Sequence, residues 1–358
     1  MDTFVYDKHL TDKQILILKD LLEYRVLTTE MIRERFFNGT GRYVENVLLV
    51  LRKEGYIKSS ILNKSRKDRK GYAVHQITER GKNMLLRYSE VEQSVNHKTI
   101  QHVKDYQVQQ ILLANEVLYH YYKIGWEIWD SRLAKQKYDI DYRAHLQGMV
   151  ISPEQKRYGV YVLDREVNEN IIGKIQKEIM EYDKENKIHD NIIIFKGANS
   201  YLHFIDYGMT ETEYRHDDRK MKRRPVQTAG EMIVEPYTLH VKRLTKGLSK
   251  QEWIITLCNY YDLRIIEKDN QEKRQAFETT VEYFNQVYFL VDLTDSDFNK
   301  FHSIQAYHNS QSEKQWNNNQ KVLVLVLSIE TAIIKELEQW DNVELLKIKS
   351  GEYEDILI

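Results

Sequence analysis

Residues 42–62, RYVENVLLVLRKEGYIKSSIL, decide the fold that we predict for the first quarter of the chain. Four of their apolar residues recur at the i, i+3, i+4, i+7 spacing of one helix face: Val44, Val47, Leu48 and Leu51. This spacing predicts a helix over residues 42–54 whose apolar face packs against a core. Gly55 is a typical residue just beyond a helix C-terminus, and residues 56–62 are predicted to form a strand.

The segments on either side of this helix complete an order of elements that is known from DNA-binding domains. Thr11 and Gln14 have the spacing of a capping box, which predicts the start of a first helix. Thr28 or Thr29 caps a second helix, and a turn is predicted at residues 38–41, NGTG. A second strand over residues 72–77 and a fourth helix over 78–86 follow. This order predicts a winged helix-turn-helix over residues 1–90.

The face of the 42–54 helix that is turned away from the core is the candidate DNA-reading surface. Its polar and basic residues are Arg42, Asn46, Arg52 and Lys53, with Leu49 among them. The loop between the two strands is rich in cations: Lys64, Arg66, Lys67, Arg69 and Lys70. We expect the helix to meet base edges and the loop to lie along phosphates. A solvated charged surface, or a module that docks a protein, is the alternative interpretation.

Charge is distributed unevenly along the chain, as we expect for a basic DNA-binding domain that is joined to an acidic remainder. Residues 1–90 hold 18 Lys and Arg against 12 Asp and Glu, whereas the whole 358-residue chain carries a net charge of −1. Cys258 is the only cysteine, so the sequence excludes an internal disulfide and a thiolate metal cluster. The chain has no P-loop, GxSxG, HExxH or CxxC motif, no membrane-spanning apolar run and no signal-peptide pattern. We therefore expect a cytoplasmic protein that does not contact the membrane.

The rest of the chain predicts a multidomain protein of the α+β or α/β class. Residues 91–125 are a predicted helical connector, which either dimerises or packs on the next domain. Residues 126–210 are a predicted α/β domain, with strands at 126–129, 138–145, 157–165 and 191–195 and a helix at 168–186. Residues 211–228 are predicted to be an exposed linker, with a second DNA contact as the alternative. Residues 230–358 form a third predicted domain, with strands at 232–241, 287–293, 321–328 and 343–349 and helices at 249–260 and 330–340.

One acidic constellation in the middle domain is a candidate catalytic site. Asp139 and Asp141 are two residues apart on the predicted strand 138–145, so they would share one face of the sheet. Asp164 and Glu166 come at the end of the next strand, and Lys174 follows on the predicted helix. Carboxylates on neighbouring strands with a nearby lysine can hold Mg²⁺ and orient water for hydrolysis. The alternative is that these carboxylates face solvent or pair with Arg143 and Arg165.

The sequence resembles the replication-relaxation family of plasmids and other mobile elements of Gram-positive bacteria. The resemblance rests on three segments. They are residues 71–81, which begin with Gly-Tyr and end with Ile-Thr-Glu-Arg-Gly, then Leu163-Asp164-Arg165, and then Lys174 followed by Tyr182. It implies a winged helix joined to a nuclease-like domain. Val162 and Ile140 stand where the family has an acidic residue and a proline, so the resemblance implies a degenerate nuclease site.

Taken together, these patterns predict a sequence-specific double-stranded DNA-binding protein of a plasmid or mobile element. It would act in replication, mobilisation or their regulation, as a homodimer on an inverted repeat, without a cofactor. A replication or mobilisation protein would be its partner. The alternatives are a Mg²⁺-dependent DNA-nicking enzyme and a winged-helix transcriptional repressor that responds to a ligand.

Overall fold

The computed structural model describes residues 10–39, 43–62, 71–87, 103, 105–164, 167–209, 212–216, 219–223, 225–266, 277–312 and 320–357. These residues contain both helices and strands, as the predicted class requires. The chain divides into two units, Met1–Val117 and Leu118–Ile358. Within the described ranges, none of the helices has the length and apolarity needed to cross a lipid bilayer.

The first unit contains the helices and the two longer strands that residues 42–62 and their neighbours predict, together with a short strand, Leu27–Thr28, that was not predicted. They are α1 (Asp12–Tyr24), β1 (Leu27–Thr28), α2 (Thr29–Phe37), α3 (Tyr43–Lys53), β2 (Ile57–Leu62), β3 (Tyr72–Ile77), α4 (Glu79–Leu85) and the first part of α5 (Asp105–Lys123). The three strands form an antiparallel sheet in the order β1-β3-β2. The capping box of Thr11 and Gln14 is present, and Thr28 rather than Thr29 caps α2 by accepting from Met31 N–H at 3.1 Å.

The second unit begins with a five-stranded mixed sheet. Its elements are β4 (Glu127–Asp130), α6 (Ser131–Lys137), β5 (Gly148–Ile151), β6 (Arg157–Leu163), α7 (Glu169–Lys184), β7 (Asp190–Phe195), α8 (Ala198–Met209), β8 (Thr212–His216), β9 (Arg219–Arg223), β10 (Met232–Pro236) and α9 (Tyr237–Thr245). The strand order is β4-β5-β6-β7-β10. The pairs β4–β5 and β5–β6 are antiparallel, whereas β6–β7 and β7–β10 are parallel.

A second five-stranded sheet repeats this arrangement. Its elements are α10 (Lys250–Tyr260), β11 (Arg264–Ile265), β12 (Thr279–Tyr283), β13 (Gln286–Asp292), α11 (Phe298–Ser312), β14 (Lys321–Leu327), α12 (Thr331–Leu337), β15 (Val343–Ile348) and α13 (Glu352–Ile356). The order is β11-β12-β13-β14-β15, again with two antiparallel pairs followed by two parallel pairs. Every residue of β14 after Lys321 is buried, as its unbroken apolar run predicts. Apolar residues of both sheets belong to one hydrophobic core.

Three predicted segments differ from the structure. Residues 138–145 were expected to be a strand, but they follow α6 in turns. Asp139 there adopts a left-handed conformation with a φ of 49°, and Ile140 N–H donates to Lys135 carbonyl at 2.9 Å, which is how a helix commonly ends. Residues 211–228 include the β8–β9 hairpin rather than only a linker. The strand predicted at 232–241 ends at Pro236, where α9 begins.

A backbone hydrogen bond joins the two sheets of the second unit through the loop that follows β13, and an ion pair lies on either side of it. Asp295 carbonyl accepts from Val234 N–H of β10 at 2.7 Å, and its carboxylate pairs with Lys300 of α11. Glu235, which is fully buried on β10, pairs with Arg243 at 2.7 Å. Burial opposes the charge of Lys300, but Asp295 and Asp292 outweigh it and raise the pKa of Lys300. This loop therefore fixes the second sheet to the edge strand of the first.

Substitution of Gly208 by alanine tests how closely helices α8 and α11 approach each other. A Cβ at Gly208 would lie 2.2 Å from Cε2 of Phe298, whose ring is fully buried. Displacing a packed ring costs about 1–3 kcal/mol, which exceeds the gain of about 1 kcal/mol that alanine gives in a helix. We therefore expect Gly208→Ala to lower the free energy of unfolding measured in urea.

Gly351→Ala is the matched control for this substitution. A Cβ at Gly351 meets nothing within 4 Å, so we expect a change below about 0.5 kcal/mol. A Gly208→Ala protein as stable as the wild type, or more stable, would show that the close approach to Phe298 does not exist.

Candidate nucleic-acid interface

Helix α3 divides sharply into a buried and an exposed face. The four residues predicted to face the core are at most 6% exposed. The opposite side, which we call the outer face, carries four exposed residues at the spacing i, i+3, i+4, i+7: Asn46, Leu49, Val50 and Lys53. Asn46 and Lys53 have no hydrogen-bond or ion-pair partner among the described residues. Among the described residues, the outer face is therefore uncovered over about two helical turns.

Contacts at both ends hold α3 in place. Glu45 near its N-terminus pairs with Arg33 of α2 at 2.7 Å. At its C-terminus Gly55 adopts a φ of 72°, which lets the chain turn back so that Tyr56 N–H donates to Leu51 carbonyl at 2.9 Å. Thr78 Oγ1 then donates to Gly55 carbonyl at 2.7 Å and fixes this turn to the start of α4. Helix α3 is thereby held against α2, β2 and α4 without using its outer face.

His75 connects the sheet to the start of α2. Its Nε2 lies 2.9 Å from Thr29 Oγ1 and its Nδ1 lies 2.8 Å from Ser59 Oγ, and the residue is only 3% exposed. Burial, with a smaller contribution from the nearby charge of Arg52, lowers the pKa of His75 to about 4. The imidazole is therefore neutral at physiological pH, so it bridges two hydroxyl groups rather than contributing positive charge to the interface.

Asn115 of α5 secures the segment between α1 and α2. Its Nδ2 donates to the carbonyl groups of Tyr24 and Val26, both at 2.9 Å. The residue between them, Arg25, has a φ of 66°, so these carbonyls lie outside regular helix bonding. Val103, Val108 and Leu112 close a small apolar cluster with Val26 and Val74. Residues of α5 thus complete the core of the first unit.

The structure describes some of the predicted DNA-binding residues and leaves others out. Asn46, Arg52 and Lys53 all lie on α3 with exposed side chains. Arg42 and the loop cations Lys64, Arg66, Lys67, Arg69 and Lys70 lie outside the described residues. The roles of His75 and Asn115 could not be predicted, because single polar residues in apolar stretches have no spacing that reveals their partners. What the sequence does show is a polar residue within a predicted apolar strand or helix, and such a residue needs a hydrogen-bond partner when it is buried.

The acidic constellation does not have the strand geometry that the sequence predicts. Asp141 is exposed in a turn, where its Oδ1 accepts from Arg143 N–H at 2.8 Å. Asp164 is half-buried directly after β6, and Lys174 is exposed on α7. Glu166 lies outside the described residues. In the ranges that the structure describes, no three His, Cys, Asp or Glu residues are grouped so that they could hold a metal ion.

Comparison with known proteins gives no family assignment. No family model, no curated protein and no solved structure matches this chain.

The state of His75 gives a prediction of pH dependence. Since burial favours the neutral ring, the contribution of His75 to folding stability is fully present above the ordinary histidine pKa near 6.5 and falls as the pH drops from 6.5 toward 4. We expect the ring signals of His75, followed by NMR with labelled histidine, to titrate with a midpoint about 4. His75→Gln identifies the signals. A midpoint close to 6.5 would contradict the buried, doubly bonded ring.

Proposed function

We propose that residues 1–90 form a winged helix-turn-helix and that the protein binds duplex DNA with α3 in the major groove. The observation that carries this proposal is the outer face of α3, which presents Asn46 and Lys53 with no partner among the residues that the structure describes, while its opposite face is wholly buried. An amide can read adenine by two hydrogen bonds, and an ammonium group contacts phosphates or guanine. The order of helices and strands around α3 and the positive charge of residues 1–90 support the same function.

The biological role that we propose is that of a plasmid or mobile-element protein acting in replication, mobilisation or their regulation. It follows from the resemblance carried by residues 71–81 and 163–165. Since one α3 reads a single half-site, the protein would act as a homodimer on an inverted repeat. The second unit would then supply contacts to a replication or mobilisation protein.

Binding of duplex DNA from the protein's own locus, measured by fluorescence anisotropy, tests the proposal. Asn46→Ala should weaken binding to the specific site by about 1–3 kcal/mol and leave non-specific binding unchanged. Lys53→Ala should weaken binding to all sequences and reduce the slope of affinity against salt concentration by about one unit.

Two matched variants control this experiment. Asn83 is exposed on α4 and Lys19 is exposed on α1, so Asn83→Ala and Lys19→Ala remove the same chemical groups outside the outer face of α3. We expect both variants to bind as the wild type does. Equal losses in the α3 variants and their controls, or no binding by the wild type at any salt concentration, would refute DNA recognition by α3.

A second candidate function is Mg²⁺-dependent nicking of DNA, and the position of Asp164 favours it. This carboxylate follows β6, the central strand of the first sheet of the second unit, and α7 begins five residues later. A carboxyl group at the end of a strand in a mixed sheet is a suitable first ligand for Mg²⁺. Against this function, Asp141 lies in a turn rather than on the neighbouring strand.

Supercoiled DNA incubated with the protein in Mg²⁺ or in EDTA distinguishes the two functions. A binding protein leaves the DNA supercoiled in both conditions, and this is the result that we expect. Nicking that requires Mg²⁺, is lost in Asp164→Asn and is retained in Asp341→Asn would establish the enzyme. Asp341 is an exposed aspartate before β15 and serves as the matched control.

A further inference from the structure

The outer face of α3 contains an apolar patch that neither core packing nor phosphate binding explains. Leu49 is 37% exposed and Val50 is 43% exposed, although both lie in a well-formed helix with a complete buried face. The two side chains adjoin on a helix face that is otherwise polar, and contiguous apolar surface with a polar rim is a feature of interaction sites. The patch lies one helical turn after Asn46 and one helical turn before Lys53, so all four side chains share one face.

We propose that Leu49 and Val50 read the 5-methyl groups of thymines, so that the half-site bound by α3 is rich in A·T pairs. The inference rests on the proposed DNA-binding function. The thymine methyl group is the only apolar group that the bases present in the major groove, and aliphatic side chains recognise it by excluding water. Asn46 lies on the same face, and its amide is suited to adenine, the base paired with thymine.

Charge complementarity favours DNA over a protein as the occupant of this patch. The helix carries Arg52 and Lys53 in its last turn, and the outer face itself contains no acidic residue among its four members. Glu45, the acidic residue of the first turn, is already paired with Arg33 at 2.7 Å. A cationic surface with an apolar centre therefore matches a groove that is lined by phosphates and carries methyl groups on its floor.

Replacement of thymine by uracil tests the inference directly, because uracil pairs identically and lacks only the methyl group. The full-length wild-type protein first selects duplexes from a random-sequence pool. The selected half-site is then synthesised with thymine or with uracil, and both affinities are measured. We expect A·T pairs in the selected half-site and an affinity loss of about three- to five-fold for each contacted methyl group that is removed.

The variant Leu49→Ala/Val50→Ala should bind the thymine and uracil duplexes with equal affinity. Leu16→Ala is its control, because Leu16 is 47% exposed on α1, and it should keep the wild-type discrimination. The wild-type comparison of the two duplexes does not depend on whether a variant folds.

The possible failures separate this inference from the function on which it rests. Selected DNA that binds thymine and uracil duplexes equally would overturn methyl recognition and leave DNA binding in place. A double variant that still discriminates, but changes from dimer to monomer in sedimentation, would assign the patch to a second copy of the chain and overturn the inference. Failure of the wild type to retain any duplex would overturn both proposals.

Discussion

The loop after β13, with an ion pair on either side of it, is the constraint on which the second unit depends. Lys300 is held by the carboxylate of Asp295 and by Asp292 carbonyl at 2.8 Å, while Arg243 pairs with the fully buried Glu235. Charges removed from water in this way are tolerated only when each has a partner, because an unpaired buried charge costs several kcal/mol. The two sheets are coupled by the hydrogen bond that Val234 N–H of β10 donates to Asp295 carbonyl at 2.7 Å, because it joins the loop that Lys300 holds to the strand that carries Glu235.

Neutral polar groups have the corresponding role in the first unit. His75 joins Ser59 to Thr29, and Asn115 satisfies two carbonyls beside Arg25. Each of these groups makes its hydrogen bonds inside the unit. These buried polar residues are thereby separated from the exposed polar residues on the outer face of α3.

Periodicity predicted the first unit well and the second unit less completely. The spacing of the four buried apolar residues that include Val47 specifies α3, because a helix buries residues at a fixed spacing. The unbroken apolar run after Lys321 specifies a buried strand. Residues 138–145 alternate apolar and polar side chains, which is typical of a strand, yet they follow α6 in turns. A left-handed residue at Asp139 and packing of Ile140 against the core outweigh that local pattern.

The sequence by itself determined the elements whose signal is local: the capping box at Thr11, the amphipathic α3, the turn at Gly55, the uneven charge and the absence of an internal disulfide. Only the tertiary structure decided which polar residues are buried, how the topology of the first large sheet recurs in the second, and that Asp139 and Asp141 share no strand face. The reason is physical. Helix periods and turn preferences act between neighbours in sequence, whereas strand order and the contacts between the two sheets depend on residues far apart in the chain.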